Sequence, residues 1–172
     1  MKRLSVLGST GSVGEQTLAV AAANPDRFSV TALAAGHQVD ALCEQIERFR
    51  PAVASVACEE DAELLRTRFG EAVAIYSGAE GLIEVATHEA DLVVAALVGA
   101  VGLAPTLAAI RSGRDIALAN KEVMVMAGAL VRRAIEQAGG ALLPVDSEHS
   151  AIFQSLAGQQ LKDVTRLILT CS

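Results

Sequence analysis

Residues 3–14 read Arg3-Leu-Ser-Val-Leu7-Gly8-Ser-Thr-Gly11-Ser-Val-Gly14. A short apolar run, glycines at every third position and an Ala-rich stretch up to residue 23 describe a strand, a tight turn and a helix. Each glycine then has its own duty. Gly8 permits the turn, Gly11 lets the backbone approach a pyrophosphate, and Gly14 lets the helix pack closely on the strand. The helix N-terminus contributes unpaired amides and the positive end of its dipole, which suits phosphate. A plain tight turn with no ligand is the competing reading.

Working outward, the same alternation continues. Strands are expected at 3–7, 28–34, 52–57, 72–76, 91–97, 115–119 and 141–145. Helices are expected between them at 13–23, 39–49, 60–69, 79–86, 103–112 and 121–138, the last closed by Gly139-Gly140. Strands alternating with helices define an α/β fold, Rossmann-like and doubly wound, on a mainly parallel sheet. The composition agrees: 52% of residues are hydrophobic but only 3% aromatic, so the core must be aliphatic, as in strands covered on both faces by helices. After residue 145 the pattern changes to a helix at 148–157, a polar loop and a strand at 165–171. We therefore divide the chain into a nucleotide-binding domain, 1–145, and the start of an α+β catalytic domain, 146–172. A chain stopping at Ser172, at the end of a strand with no closing element, reads as truncated.

A formal charge of −6 argues against a nucleic-acid or anionic-membrane surface. Cys43, Cys58 and Cys171 lie at wide spacings, with no metal knuckle or C-x-x-C, and their odd count fits reduced thiols in a cytoplasmic protein. The Leu4–Leu7 run is too short for a signal peptide. The longest apolar run, 92–104, contains two glycines and falls short of the roughly 20 residues of a membrane span.

Three further stretches carry chemistry. The end of the second strand, Ala34-Ala35-Gly36-His37-Gln38, lacks the acid that usually bonds an NAD ribose, and that absence favours NADP. His37 and Gln38 either hydrogen-bond the 2′-phosphate or form a solvated loop. Ala119-Asn120-Lys121-Glu122 follows a strand and opens a helix, where side chains reach cofactor and substrate or form an exposed ion pair. Asp146-Ser147-Glu148-His149-Ser150 offers two readings. Asp146 and Glu148, two apart in extended chain, share a hard cation such as Mg²⁺ or Mn²⁺. Alternatively, Asp146 or Ser147 caps the helix and Glu148 complements its dipole.

Together these residues resemble the 1-deoxy-D-xylulose 5-phosphate reductoisomerase family. The resemblance runs from Leu7–Gly14 through Val98-Gly-Ala-Val-Gly-Leu103, Pro105-Thr-Leu107 and Ala117–Glu122 to Leu143-Pro-Val-Asp-Ser-Glu-His-Ser-Ala-Ile-Phe-Gln154, the most specific stretch. It implies an NADPH- and divalent-metal-dependent oxidoreductase of non-mevalonate isoprenoid synthesis. Such an enzyme rearranges 1-deoxy-D-xylulose 5-phosphate, a phosphorylated sugar, and reduces it to 2-C-methyl-D-erythritol 4-phosphate. Carried over by motif, Thr10, Gly11, Ser12 and Val13 contact the cofactor, Gly36 and Gln38 its adenosine end, and Asn120 and Glu122 its nicotinamide half. Lys121 and Glu148 are the catalytic residues, Asp146 and Glu148 the metal ligands, and Lys121, Ser147, Glu148 and Ser172 the substrate contacts. His37 departs from the family's usual Lys or Arg, which weakens the expected grip on the 2′-phosphate. The resemblance places a third acidic ligand and a lid after residue 172. The chain alone is therefore expected to bind nucleotide and turn over little substrate, with a homodimer expected at full length and no nucleic-acid or membrane partner. A different NADP-dependent dehydrogenase on the same fold would need no role for Asp146 and Glu148. A non-catalytic nucleotide-binding module is the remaining alternative.

Overall fold

The computed structural model describes residues 1–169. Seven strands, β1 (Lys2–Leu7), β2 (Phe28–Ala34), β3 (Val53–Val56), β4 (Ala74–Ser77), β5 (Leu92–Ala95), β6 (Asp115–Leu118) and β7 (Leu142–Pro144), form one sheet in the order β4-β3-β2-β1-β5-β6-β7. Every pairing is parallel. The chain winds outward from β1 to one edge, returns to β5 and winds to the other edge, so the sheet's switch point lies between β1 and β5.

The helices α1 (Ser12–Ala23), α2 (Val39–Phe49) and α3 (Glu59–Phe69) pack on one face, and α4 (Gly78–Thr87), α5 (Leu103–Arg111) and α6 (Lys121–Ala138) on the other. Period-two alternation along the strands separates the two cores. Val6 and Leu33 belong to the first, with Leu18, Leu42, Ile46 and Leu65 from the helices. Leu7, Ala32 and Ala34 belong to the second, with Val85, Ile110, Val123 and Val131. With both strand faces covered, the buried runs read as continuous aliphatic stretches, which is why the sequence discloses them. At the opposite edge from the strand tips, Arg3 pairs with Asp91, its Nη2 2.8 Å from Oδ1, and with Glu89. Those bonds and the Arg3 backbone amide hold the Asp91 carboxyl down at about 2.

Seven expected strands and six expected helices form within a few residues of their anticipated limits. The expected 91–97 strand ends at Ala95, because the chain then turns into a 3₁₀ segment, Gly99–Gly102. Helix α6 kinks at Ala127 (φ −143°), beside Gly128. The helix expected at 148–157 is α7 (Ser147–Leu156), with no buried residue. The strand expected at 165–171 is not formed in its described portion, residues 165–169, where Leu167, Ile168 and Leu169 are all exposed. A strand needs a neighbour to satisfy its backbone, and none of the seven pairs with this segment. The remainder of that expectation, including the substrate contact at Ser172, lies outside the described residues. No described helix is long and apolar enough to cross a membrane.

Candidate functional site

Because every strand is parallel, the segments following β1, β2, β5, β6 and β7 leave the sheet along the same edge. All the chemistry-bearing stretches of the described chain follow those strand tips, where open α/β sheets bind ligands.

The glycine loop is fixed by its neighbours. The backbone amides of Gly8 and Ser9 both donate to Ala34 O at 2.8 Å, tying the loop to the tip of β2. Gly8 has φ +84°, and a Cβ there would stand 2.6 Å from Ala96 O, so the loop also abuts the segment after β5. A Cβ on Gly14 would stand 2.2 Å from Gly8 O, which makes the start of α1 inseparable from the turn. Gly11 differs: its added Cβ would meet only Gly8 O, at an ordinary 3.4 Å. No protein atom demands glycine there, and the position is open to an approaching group. Gly11 is also the N-cap of α1 and provides no side chain to satisfy the first amides, which Ser12, Val13 and Gly14 present. Thr10 and Val13 are half-buried, while Gly11 and Ser12 are exposed. This cradle fits a pyrophosphate.

At the tip of β2, Gly36, His37 and Gln38 are exposed, and an added Cβ on Gly36 would meet nothing within 4 Å. The local sequence has no acid here, but Asp61 arrives from α3, its Oδ2 3.2 Å from His37 Nδ1. His37 thus pairs through Nδ1 with a carboxylate 24 residues away, while its side chain stays 75% exposed.

Asn120 is 3% exposed and caps α6, its side-chain oxygen accepting from the Val123 amide at 3.3 Å. Its amide nitrogen donates to Gly99 O at 3.0 Å. Both ends of the side chain are therefore engaged in joining α6 to the segment after β5. A Cβ on Gly102 would stand 2.3 Å from that same nitrogen. The sequence reading drew no site residue from 96–102, although Val98, at 83% exposure, sits on this segment at the switch point. The pair of glycines around small residues was the available signal.

Asp146 occupies the N-cap position of α7 yet makes no capping hydrogen bond. Its carboxylate instead accepts from Lys121 Nζ at 3.1 Å and lies 3.8 Å from His149 Nδ1. The Lys121 bond holds the Asp146 carboxyl below its ordinary value and raises Lys121 in turn. Of the two readings of this stretch, the helix start is correct by position, but the acid itself remains available to a cation. Glu148, in the first turn, accepts from the Ser147 hydroxyl at 2.8 Å. The two acids are not two apart in extended chain, as the sequence suggested, but the N-cap and first turn of one helix. Two carboxylates remain a donor set suited to a hard divalent ion, with the Lys121 ammonium on one of them here. Beside them Lys121, Met124, Pro144, His149 and Phe153 line a pocket of about 360 Å³.

A doubly wound, all-parallel sheet with a glycine turn and a helix N-terminus at its switch point defines the class: a Rossmann-like α/β fold. A family model described as 1-deoxy-D-xylulose 5-phosphate reductoisomerase matches residues 4–128, and that of the family's C-terminal domain matches 142–172. The chain belongs to the 1-deoxy-D-xylulose 5-phosphate reductoisomerase family.

The reductoisomerase of Geotalea uraniireducens is 53% identical over the whole chain, which covers 45% of that protein. The one from Chlorobium phaeovibrioides is 55% identical, with 46% of its length covered. The chain thus spans a little under half of these relatives. Among solved structures, a DOX-P reductoisomerase in complex with NADPH, fosmidomycin and magnesium superposes with a TM-score of 0.86 at 41% identity, covering 92% of this chain and 41% of that one. The Zymomonas mobilis enzyme in complex with NADPH gives 0.85 at 44% identity, covering 89% and 41%.

Proposed function

We propose that this chain supplies the cofactor site and two of the metal ligands of an enzyme that converts 1-deoxy-D-xylulose 5-phosphate to 2-C-methyl-D-erythritol 4-phosphate with NADPH, in non-mevalonate isoprenoid synthesis. The observation that carries the reading is Asp146, placed as a helix cap but withheld from capping and turned to Lys121. A simple nucleotide-binding module has no use for that arrangement. Relatives crystallised with NADPH and with magnesium support it.

In this reading residues 1–145 form the NADP-binding domain and 146–172 begin the catalytic one, a division supported by the absence of buried residues in α7. Thr10, Gly11, Ser12 and Val13 hold the pyrophosphate with helix-terminal amides, and Gly36 and Gln38 border the adenosine. Glu122 and the 96–102 segment face the nicotinamide half, with Asn120 fixing that segment to α6. Asp146 and Glu148 hold the divalent ion, Mn²⁺ or Mg²⁺, which when bound polarises the substrate's oxygens and offsets the negative charge that develops as its carbon skeleton rearranges. Lys121 then exchanges its bond to Asp146 for one to the substrate, as the ammonium that a lysine is at neutral pH. Ser147 and Glu148 orient the substrate's hydroxyls, and Ser172 contributes to its phosphate. Hydride from NADPH reduces the resulting aldehyde. The enzyme acts in the cytoplasm, as a homodimer at full length.

The test is NADPH oxidation driven by 1-deoxy-D-xylulose 5-phosphate in the full-length protein, with and without Mg²⁺ or Mn²⁺. Metal-dependent turnover is expected. Oxidation of NADPH that persists unchanged in excess chelator would contradict the reading and favour a metal-independent dehydrogenase.

A further inference from the structure

One cluster of potential ligands lies away from the acid pair. His37, just beyond β2, Cys58, just beyond β3, and Asp61, in the first turn of α3, bring a ring nitrogen, a thiol sulfur and a carboxylate oxygen within 4.8 Å of one another. Among the described residues this is the one group of three or more His, Cys, Asp or Glu side chains meeting that proximity. The members come from three segments, held by the sheet: the Ala57 amide donates to Gly36 O at 3.2 Å, fixing the tip of β3 against that of β2.

The geometry suits a small tetrahedral ion. Ligands about 2.0–2.2 Å from such a centre lie roughly 3.3–3.5 Å apart when nitrogen and oxygen are paired. His37 Nδ1 and Asp61 Oδ2 are already 3.2 Å apart. A thiolate sits at about 2.3 Å from zinc, so its edge to either neighbour is roughly 3.6 Å, and the three ligand atoms here lie within 4.8 Å of one another. The donor chemistry separates this cluster from Asp146 and Glu148. Two carboxylates favour hard Mg²⁺ or Mn²⁺, whereas imidazole plus thiolate plus carboxylate selects a softer ion such as Zn²⁺ or Co²⁺. A cation beside a helix N-terminus meets the positive end of the dipole, but Glu60 and Asp61 put two carboxylates in that first turn, Glu59 being taken by Arg66 and Ser77. His37 is 75% exposed, so the cluster opens to solvent for metal entry and leaves a fourth position for water or an anion.

We propose that His37, Cys58 and Asp61 form a three-ligand site for a borderline-soft transition metal at the outer end of the cofactor crevice. It is separate from the hard-metal pair and borders the adenosine end of the proposed cofactor site. Cobalt(II) titrated into the metal-free 172-residue chain tests this directly, because a thiolate ligand adds an intense near-ultraviolet charge-transfer band that carboxylates do not give. The band is expected to saturate at one equivalent and to disappear on adding zinc. It should be lost in Cys58→Ser and weakened at least tenfold in affinity in His37→Ala. It should be retained in Cys171→Ser and in Asp146→Asn. Cys43, 3% exposed inside the first core, does not compete. Absence of the band in the folded wild-type chain, its survival in Cys58→Ser, or indifference to His37→Ala would overturn the proposal. Each of those results would leave the three side chains as an ion pair beside a thiol.

Discussion

The two ends of the candidate site are built in opposite ways. Around the glycine loop nearly everything is backbone and buried packing: Gly8 against Ala96 O, Gly14 against Gly8 O, and two amides on Ala34 O. Around Asp146 everything is side chain: a lysine on the acid, a serine on the glutamate, and a helix with no buried residue beneath them. The first kind of site is over-determined by the fold and needs nothing further from the chain. In the second, the acids are oriented only by other side chains, Lys121 and Ser147.

Substitutions can break that contrast. The largest effect is expected at Gly14→Ala. A Cβ 2.2 Å from a backbone carbonyl forces the start of α1 away from the turn, at a cost of about 3 kcal/mol. Thermal unfolding of the 172-residue chain should drop by roughly 6–12 °C, with NADPH binding lost. Asp146→Asn should do the reverse. NADPH affinity of the chain is unchanged, while kcat/KM of the full-length enzyme falls by at least about a hundredfold, since even groups that only orient metal ligands cost 10–100-fold. Calorimetry and the NADPH-oxidation assay read these two quantities separately. Equal damage to both would erase the distinction.

Asn120→Ala tests the link between the ends. It removes the α6 cap and the bond to Gly99 O, and should cost about 1–2 kcal/mol in denaturant unfolding. Weaker NADPH binding should accompany it if the 96–102 segment borders the cofactor. The smallest effect concerns Asp91, remote from both ends. Its folded value of about 2 lies below the ordinary 3.8, so its stabilisation is present above about pH 4 and lost as pH falls towards 2. The wild-type unfolding midpoint should fall across that window more steeply than that of Asp91→Asn.

The same contrast explains what the sequence disclosed. Strands buried on both faces must be aliphatic, so the sheet and the Gly8–Gly14 turn were legible to within a few residues. Interactions made at long range were not. The acid-free tip of β2 was read correctly as a local sequence, yet Asp61 reaches it from α3 and takes His37. Whether the Asp146 side chain caps α7 turned on Lys121, 25 residues earlier, which takes its carboxylate. The missing strand at 165–169 shows the limit from the other side: Leu167, Ile168 and Leu169 have strand composition, but composition cannot provide the neighbour to which their amides would bond.

The central proposal is that the glycine cradle of this chain binds NADPH without help from the Asp146 site, and that the Asp146 site alone does not turn over substrate. Isothermal titration of NADPH into the wild-type 172-residue chain and its Asp146→Asn variant, with 1-deoxy-D-xylulose 5-phosphate turnover followed on the same samples, addresses both halves at once. The account predicts saturable, equal NADPH binding by both, weaker binding of NADH, and turnover in neither. No NADPH binding by a folded chain, or turnover by the wild-type chain at the full-length rate, would contradict it.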